Sequence, residues 1–133
     1  MLQTLSEITP EEPGKRKDGR KELGRAGEKM AEVFLQKQGY RILERNYQTP
    51  YGEIDLIARE ARETVFIEVR TRRGTDFGTP IESLTRKKIS HWEKSASVYL
   101  QKSGEFDQPI RFDFVGVDLS EKTPMISLTK NII

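Results

Sequence analysis

The 133-residue chain has room for one compact domain with a modest core, and its 35% hydrophobic and 33% charged residues imply a heavily charged surface. The absence of cysteine excludes a disulfide framework and a thiolate metal site, and no apolar run is long enough for a membrane span or a signal peptide, so a cytoplasmic protein without membrane association is expected. The net charge of +2 is unevenly spread: residues 70–102 hold eight Lys or Arg against three Asp or Glu, or +5, leaving 15 against 18, or −3, elsewhere.

Residues 1–20 contain Pro10, Pro13, Gly14, Gly19 and many charges without apolar periodicity, which predicts a flexible leader ahead of a single domain over residues 21–133. From Lys21 to Gln38, Leu23, Ala26, Met30, Ala31, Val33, Phe34 and Leu35 recur at helical spacing, and Gly39 stands where a helix would stop. Three extended segments follow, Arg41–Gln48, Glu53–Arg59 and Thr64–Arg70, and read as an antiparallel meander.

Thr79, Pro80 and Glu82 have the spacing of a capped helix start, which predicts a second helix from there to about Lys102. Leu84, Ile89, Trp92, Ala96, Tyr99 and Leu100 would form its apolar side. Trp92, Tyr99 and Phe77 are read as core rather than as platforms for unpaired bases, and His91, the single histidine, as packed beside Trp92. Extended runs over Ile110–Leu119 and Met125–Leu128 close the chain.

The chemistry-bearing passage is Gly52-Glu53-Ile54-Asp55-Leu56-Ile57 followed by Phe66-Ile67-Glu68-Val69-Arg70. Side chains alternate along a strand, so Glu53, Asp55 and Ile57 share one face, as do Phe66, Glu68 and Arg70. A hairpin symmetric about Ala61 and Arg62 sets Asp55 across from Glu68, and Glu53 across from Arg70. Opposed carboxylates destabilise a sheet unless a charge compensates them. A hard divalent cation, Mg2+ or Mn2+, is the simplest compensation, while protonation or outward exposure of both acids is the bland alternative.

These segments, together with Gly27-Glu28, Ala31, Leu35, Gly39-Tyr40, Asn46, Thr71-Arg72, Phe77-Gly78, Pro80, Lys88 and Arg111-Phe112-Asp113, resemble the YraN-like family of small endonuclease-like proteins in the PD-(D/E)XK superfamily. The resemblance spans about residues 20–119. It implies an α/β, restriction-endonuclease-like fold with an α-β-β-β-α-β core and a mixed central sheet flanked by helices. It further implies that Asp55 and Glu68 are metal ligands, that Glu28 completes the acidic site, and that the residue two after Glu68 acts in catalysis. That position is usually lysine in the family and is Arg70 here, a guanidinium that stays protonated and cannot act as a base.

Arg72, Arg73, Arg86, Lys87 and Lys88 are the candidate phosphate contacts, with a solvated charge run as the alternative. The reading is a divalent-metal-dependent endodeoxyribonuclease acting on DNA, including branched or structured forms. The alternatives are a nucleic-acid-binding protein impaired by Arg70 and a non-catalytic interaction module. Cleavage of both strands of a junction would call for a homodimer, although no exposed apolar seam marks one.

Overall fold

The computed structural model describes residues 19–73 and 84–133. Helix α1 (Gly19–Lys37) leads into three strands, β1 (Arg41–Thr49), β2 (Gly52–Glu60) and β3 (Glu63–Arg72). Helix α2 (Arg86–Ser103), β4 (Ile110–Asp118) and β5 (Met125–Thr129) follow. The strands lie in the order β1-β2-β3-β4-β5, every neighbouring pair antiparallel except β3 with β4, which is parallel. This is the expected α/β class, with the α-β-β-β-α-β order and a mixed sheet. The leader expected over residues 1–20 falls almost wholly outside the described residues, as do Phe77, Gly78, Thr79, Pro80 and Glu82.

Each helix stops where the backbone allows it. Past α1, Gly39 takes a φ of 99°, which frees the Tyr40 N–H to reach the Leu35 carbonyl at 3.0 Å and the Gly39 N–H to reach Gln36 at 3.1 Å. This pattern satisfies two carbonyls that a helix end otherwise leaves bare. Past α2, Gly104 adopts φ 73° and its N–H bonds to Leu100. The start of α2 departs from the expectation. Thr85, extended at φ −104° and ψ 164°, accepts the Lys88 N–H on its side chain, so α2 begins at Arg86.

The helices cover opposite faces of the sheet. On the α1 side, Met30, Ala31 and Leu35 pack with Leu56, Ala58, Val65, Ile67, Val69, Val115 and Val117. On the α2 side, Trp92, Ala96 and Tyr99 pack with Ile54, Ile57, Phe66 and Phe112. Trp92 and Tyr99 are therefore core residues, at 5% and 8% exposure. Side chains of this size each contribute about 1.5–3 kcal/mol when removed from water.

One end of the sheet is fixed by a buried polar network around the Arg111-Phe112-Asp113 sequence. The fully buried Asp113 accepts from Arg111 Nε and Nη2, both at 2.9 Å, from the Tyr40 hydroxyl at 2.8 Å and from the Asn131 N–H at 2.9 Å. Arg111 also pairs with Glu60 and Glu63 at the β2–β3 turn, and Lys130 reaches Glu60 at 3.1 Å. Burial, the Asp113 hydrogen bond and the Asp113 charge all push the Tyr40 hydroxyl well above its ordinary pKa, so it remains a donor.

Candidate functional site

The β2–β3 ladder follows the expected register from Glu60–Glu63 to Leu56–Ile67 and ends there. At the next position Asp55 Oδ2 accepts the Val69 N–H at 2.8 Å. Alternation also breaks at this point, because Ile54 and Ile57, three residues apart, share the α2-side cluster while Leu56 joins the α1 side. The two acids are still brought to one place. Burial and then the Glu68 charge hold the Asp55 carboxyl well above the usual carboxylate range, with Glu28 and Glu53 adding to the rise. Burial likewise raises Glu68, against the lowering influence of Arg70 and Lys88.

A cavity of about 450 Å3 gathers these groups. Glu28 enters from α1, Glu53 and Asp55 from β2, Glu68 and Arg70 from β3, and Lys88, His91 and Ser95 from α2. Gly27 makes the α1 approach so close that a β-carbon there would stand 1.7 Å from Thr71 Oγ1. Glu28 Oε1 accepts from Asn46 Nδ2 at 2.9 Å, not from a neighbouring lysine of its own helix. The β1–β2 hairpin is tied to α2 by a 2.7 Å contact between the Thr49 and Ser95 hydroxyls, which sets Tyr51 and Gly52 at the rim.

Two sequence expectations are corrected here. Arg70 does not pair with Glu53: its Nε lies 3.0 Å from Glu68 Oε2, while Glu53 accepts from Gln48 Nε2 at 2.6 Å. The early end of the ladder is the reason, since no strand register holds Glu53 opposite Arg70 once β2 and β3 part. His91 does not pack beside Trp92. Adjacent helix residues point about 100° apart, so Trp92 enters the core while His91 lies exposed on the cavity wall.

Of the candidate phosphate contacts, Lys88 alone lines the cavity, its Nζ 4.0 Å from Glu68 Oε2. Arg86 and Lys87 are exposed on the first turn of α2, and Arg73 is exposed just beyond β3. Arg72 is drawn to Asp118 at 3.3 Å. Sequence reasoning missed Glu53, Tyr51 and His91 as cavity residues. Glu53 was signalled by its position two residues before Asp55, whereas His91 and Tyr51 depend on how α2 and the hairpin tip come together.

The donor set suits a hard divalent cation: carboxylate oxygens only, crowded and mutually repelling. Among the described residues no three His, Cys, Asp or Glu side chains form a cluster able to hold a metal ion by themselves. The fit is thus to an ion held by Asp55 and Glu68 and completed by water and substrate phosphate, the usual arrangement for Mg2+.

A family model described as "Uncharacterised protein family UPF0102" matches residues 27–117. The chain belongs to this family. The match is the YraN-like relationship that the motifs imply, and it runs from Gly27 through the parallel strand β4. The chain is 45% identical over 114 residues to the UPF0102 protein of Dehalococcoides mccartyi, covering 86% of this chain and 94% of that one. It is 52% identical over 93 residues to the UPF0102 protein of Thermotoga neapolitana, covering 70% and 84%. Among solved structures it is similar to Pyrococcus furiosus SfsA in complex with Ca2+, at a TM-score of 0.37 and 13% identity, covering 84% of this chain but only 63% of that one. Among the described residues no helix is long and apolar enough to cross a membrane.

Proposed function

We propose that this UPF0102 protein is a cytoplasmic, divalent-metal-dependent nuclease that hydrolyses phosphodiester bonds in DNA, with branched or otherwise structured DNA as the preferred class. The observation that carries the reading is the juxtaposition of Asp55 and Glu68, each raised in pKa by burial, in one cavity with Glu28 and two cations. Leaving such a pair uncompensated costs stability, and a structural role alone gives no reason to keep it.

Asp55 and Glu68 would hold Mg2+ or Mn2+, with Glu28 in the same cavity reaching the ion through bound water. The ion would lower the pKa of a bound water and stabilise charge on the departing oxygen. Arg70 braces Glu68 and offers a fixed positive charge to the phosphate, but it cannot accept a proton. Lys88 brings a compact ammonium to the same Glu68 oxygen from the opposite wall. Arg73, Arg86 and Lys87 would meet the flanking backbone as exposed phosphate contacts, so binding would weaken steeply with salt.

A second reading rests on the 3.0 Å contact between Arg70 and Glu68, which commits the guanidinium to a ligand acid and away from substrate. On that reading the protein binds DNA without cutting it. Purified protein, Asp55→Asn and Arg70→Lys are incubated with linear, flapped and four-way-junction DNA in Mg2+ or Mn2+. Metal-dependent cleavage that Asp55→Asn abolishes is the expected result, and a gain in Arg70→Lys marks Arg70 as the restraint. Binding without cleavage in all three proteins supports the second reading. Neither binding nor cleavage refutes both and leaves an interaction module.

A further inference from the structure

We infer that Asn46 is a positioning residue that holds Glu28 toward the proposed metal pair and keeps the sheet open at Asp55; the inference rests on the metal-dependent reading above. Asn46 lies inside β1, where extended backbone is the rule, yet its φ is 49°. Its neighbours Arg45 and Tyr47 pair with Leu56 and Ile54, so Asn46 lies across from Asp55, and that one step is missing from the ladder. The interruption in β1 thus faces the residue at which β2 loses both its β3 pairing and its face alternation.

The left-handed backbone directs the Asn46 amide to Glu28. Its Nδ2 donates to Glu28 Oε1 at 2.9 Å, joining β1 to α1 across 18 positions of sequence. Asparagine meets both demands: it tolerates positive φ better than other side-chain-bearing residues, and its amide donates to a carboxylate without adding charge. A glycine would satisfy the backbone alone. A lysine or arginine would neutralise Glu28, competing with a cation for it. Glu28 also lines a second, smaller groove in which Arg45 is already paired with Glu32, while Arg25 and Lys29 carry positive charges that would draw the Glu28 carboxylate away from Asp55 and Glu68 if it were not held.

The test uses Mn2+ affinity, read from the free-ion electron paramagnetic resonance signal, together with thermal melts. Asn46→Gly keeps the permitted φ and removes the amide. It is expected to melt within a few degrees of the wild type and to bind Mn2+ about tenfold more weakly, the loss typical of removing a group that orients a ligand. Glu28→Gln should weaken binding as well, and adding Asn46→Gly to it should weaken binding no further. Equal Mn2+ affinity in Asn46→Gly and wild type overturns the inference alone, as does an undiminished tenfold effect in the Glu28→Gln background. Absence of Mn2+ binding by the wild type overturns the metal reading and this inference together. Should Asn46→Gly fail to fold, the wild type still decides: the Asn46 side-chain amide 15N signals should move with Mg2+ at the midpoint of metal binding, and unmoved signals overturn the assignment.

Discussion

Replacing Gly27 by alanine tests whether α1 is held against β3 at a fixed distance. The new β-carbon would meet Thr71 Oγ1 at 1.7 Å, Cβ at 2.8 Å and Cγ2 at 3.0 Å, whereas ordinary contact begins near 3.4 Å. Rotation of Thr71 can remove the hydroxyl but not its β-carbon. The helix must therefore withdraw by 0.6 Å in the favourable case, and by 1.7 Å if Thr71 stays where it is. Overpacking of this kind costs about 1–3 kcal/mol, and the contact with a backbone-anchored atom puts Gly27→Ala toward the upper end. Better helix propensity returns roughly 1 kcal/mol, for a net loss of about 1–2 kcal/mol. Gly24 is the internal control: it lies in the same helix, a β-carbon there meets nothing within 4 Å, and its alanine variant should gain roughly 1 kcal/mol. Urea unfolding followed by circular dichroism should thus separate the two variants by about 2–3 kcal/mol, with opposite signs relative to wild type. Thr71→Ala added to Gly27→Ala should recover part of the loss, because it removes Oγ1 and Cγ2 and leaves the 2.8 Å contact. If Gly27→Ala proves as stable as Gly24→Ala, the close α1–β3 approach is wrong, and so is the placement of Glu28 that depends on it.

Asp55→Asn should stabilise the metal-free protein at neutral pH, because the folded-state pKa of Asp55 lies above its unfolded value through burial and the Glu68 charge. The stability linked to Asp55 is fully present below the ordinary aspartate value of about 3.9 and is lost as pH rises through the raised folded value. The melting-temperature advantage of Asp55→Asn should therefore widen from pH 5 to pH 8, and a constant gap contradicts the reasoning. The difference between the two proteins isolates this effect, since Glu60, lowered by Arg111 and Lys130 in spite of burial, loses its stabilisation as pH falls. Asp113→Asn should cost at least about 3 kcal/mol, because it leaves the Arg111 guanidinium and two further hydrogen-bond donors, the Tyr40 hydroxyl and the Asn131 N–H, against a neutral amide. A urea-measured loss under 1 kcal/mol would show that the network is dispensable.

The hairpin was legible in the sequence because Glu60 to Glu63 form a polar turn, centred on Ala61 and Arg62, between two apolar extended runs, and the register that centre implies holds for five consecutive pairs. It failed at the sixth because register arithmetic treats side chains as passengers, whereas the Asp55 carboxylate competes for the Val69 N–H. Gly39 announced the end of α1 for a backbone reason, its positive φ. Thr79 lies outside the described residues, and α2 takes its cap from Thr85, three residues before Lys88. Gly27 carried no local signal of its role: its meaning lies in Thr71, 44 positions away. Asn46 did carry one, an asparagine inside a strand sequence, but the left-handed backbone that explains it appears only with the fold.

The two ends of the β2–β3 pair divide stability from chemistry. At the turn end, every charge of the Arg111 network is met by an opposite one, and Asp113 has all its donors in place, so strands and C-terminal tail are locked together. At the other end the ladder stops, the face alternation of β2 breaks, and carboxylates are set side by side with fewer cations than they need. A sheet built only for stability would have continued its hydrogen bonds past Leu56 and placed Asp55 in water. Opposite responses at the two ends follow from this division: neutralising Asp113 should weaken the fold, whereas neutralising Asp55 should strengthen it while removing the proposed metal ligand. Destabilisation by both variants would mean that Asp55 is one more satisfied structural acid, and the case for a cation between Asp55 and Glu68 would lose its energetic basis.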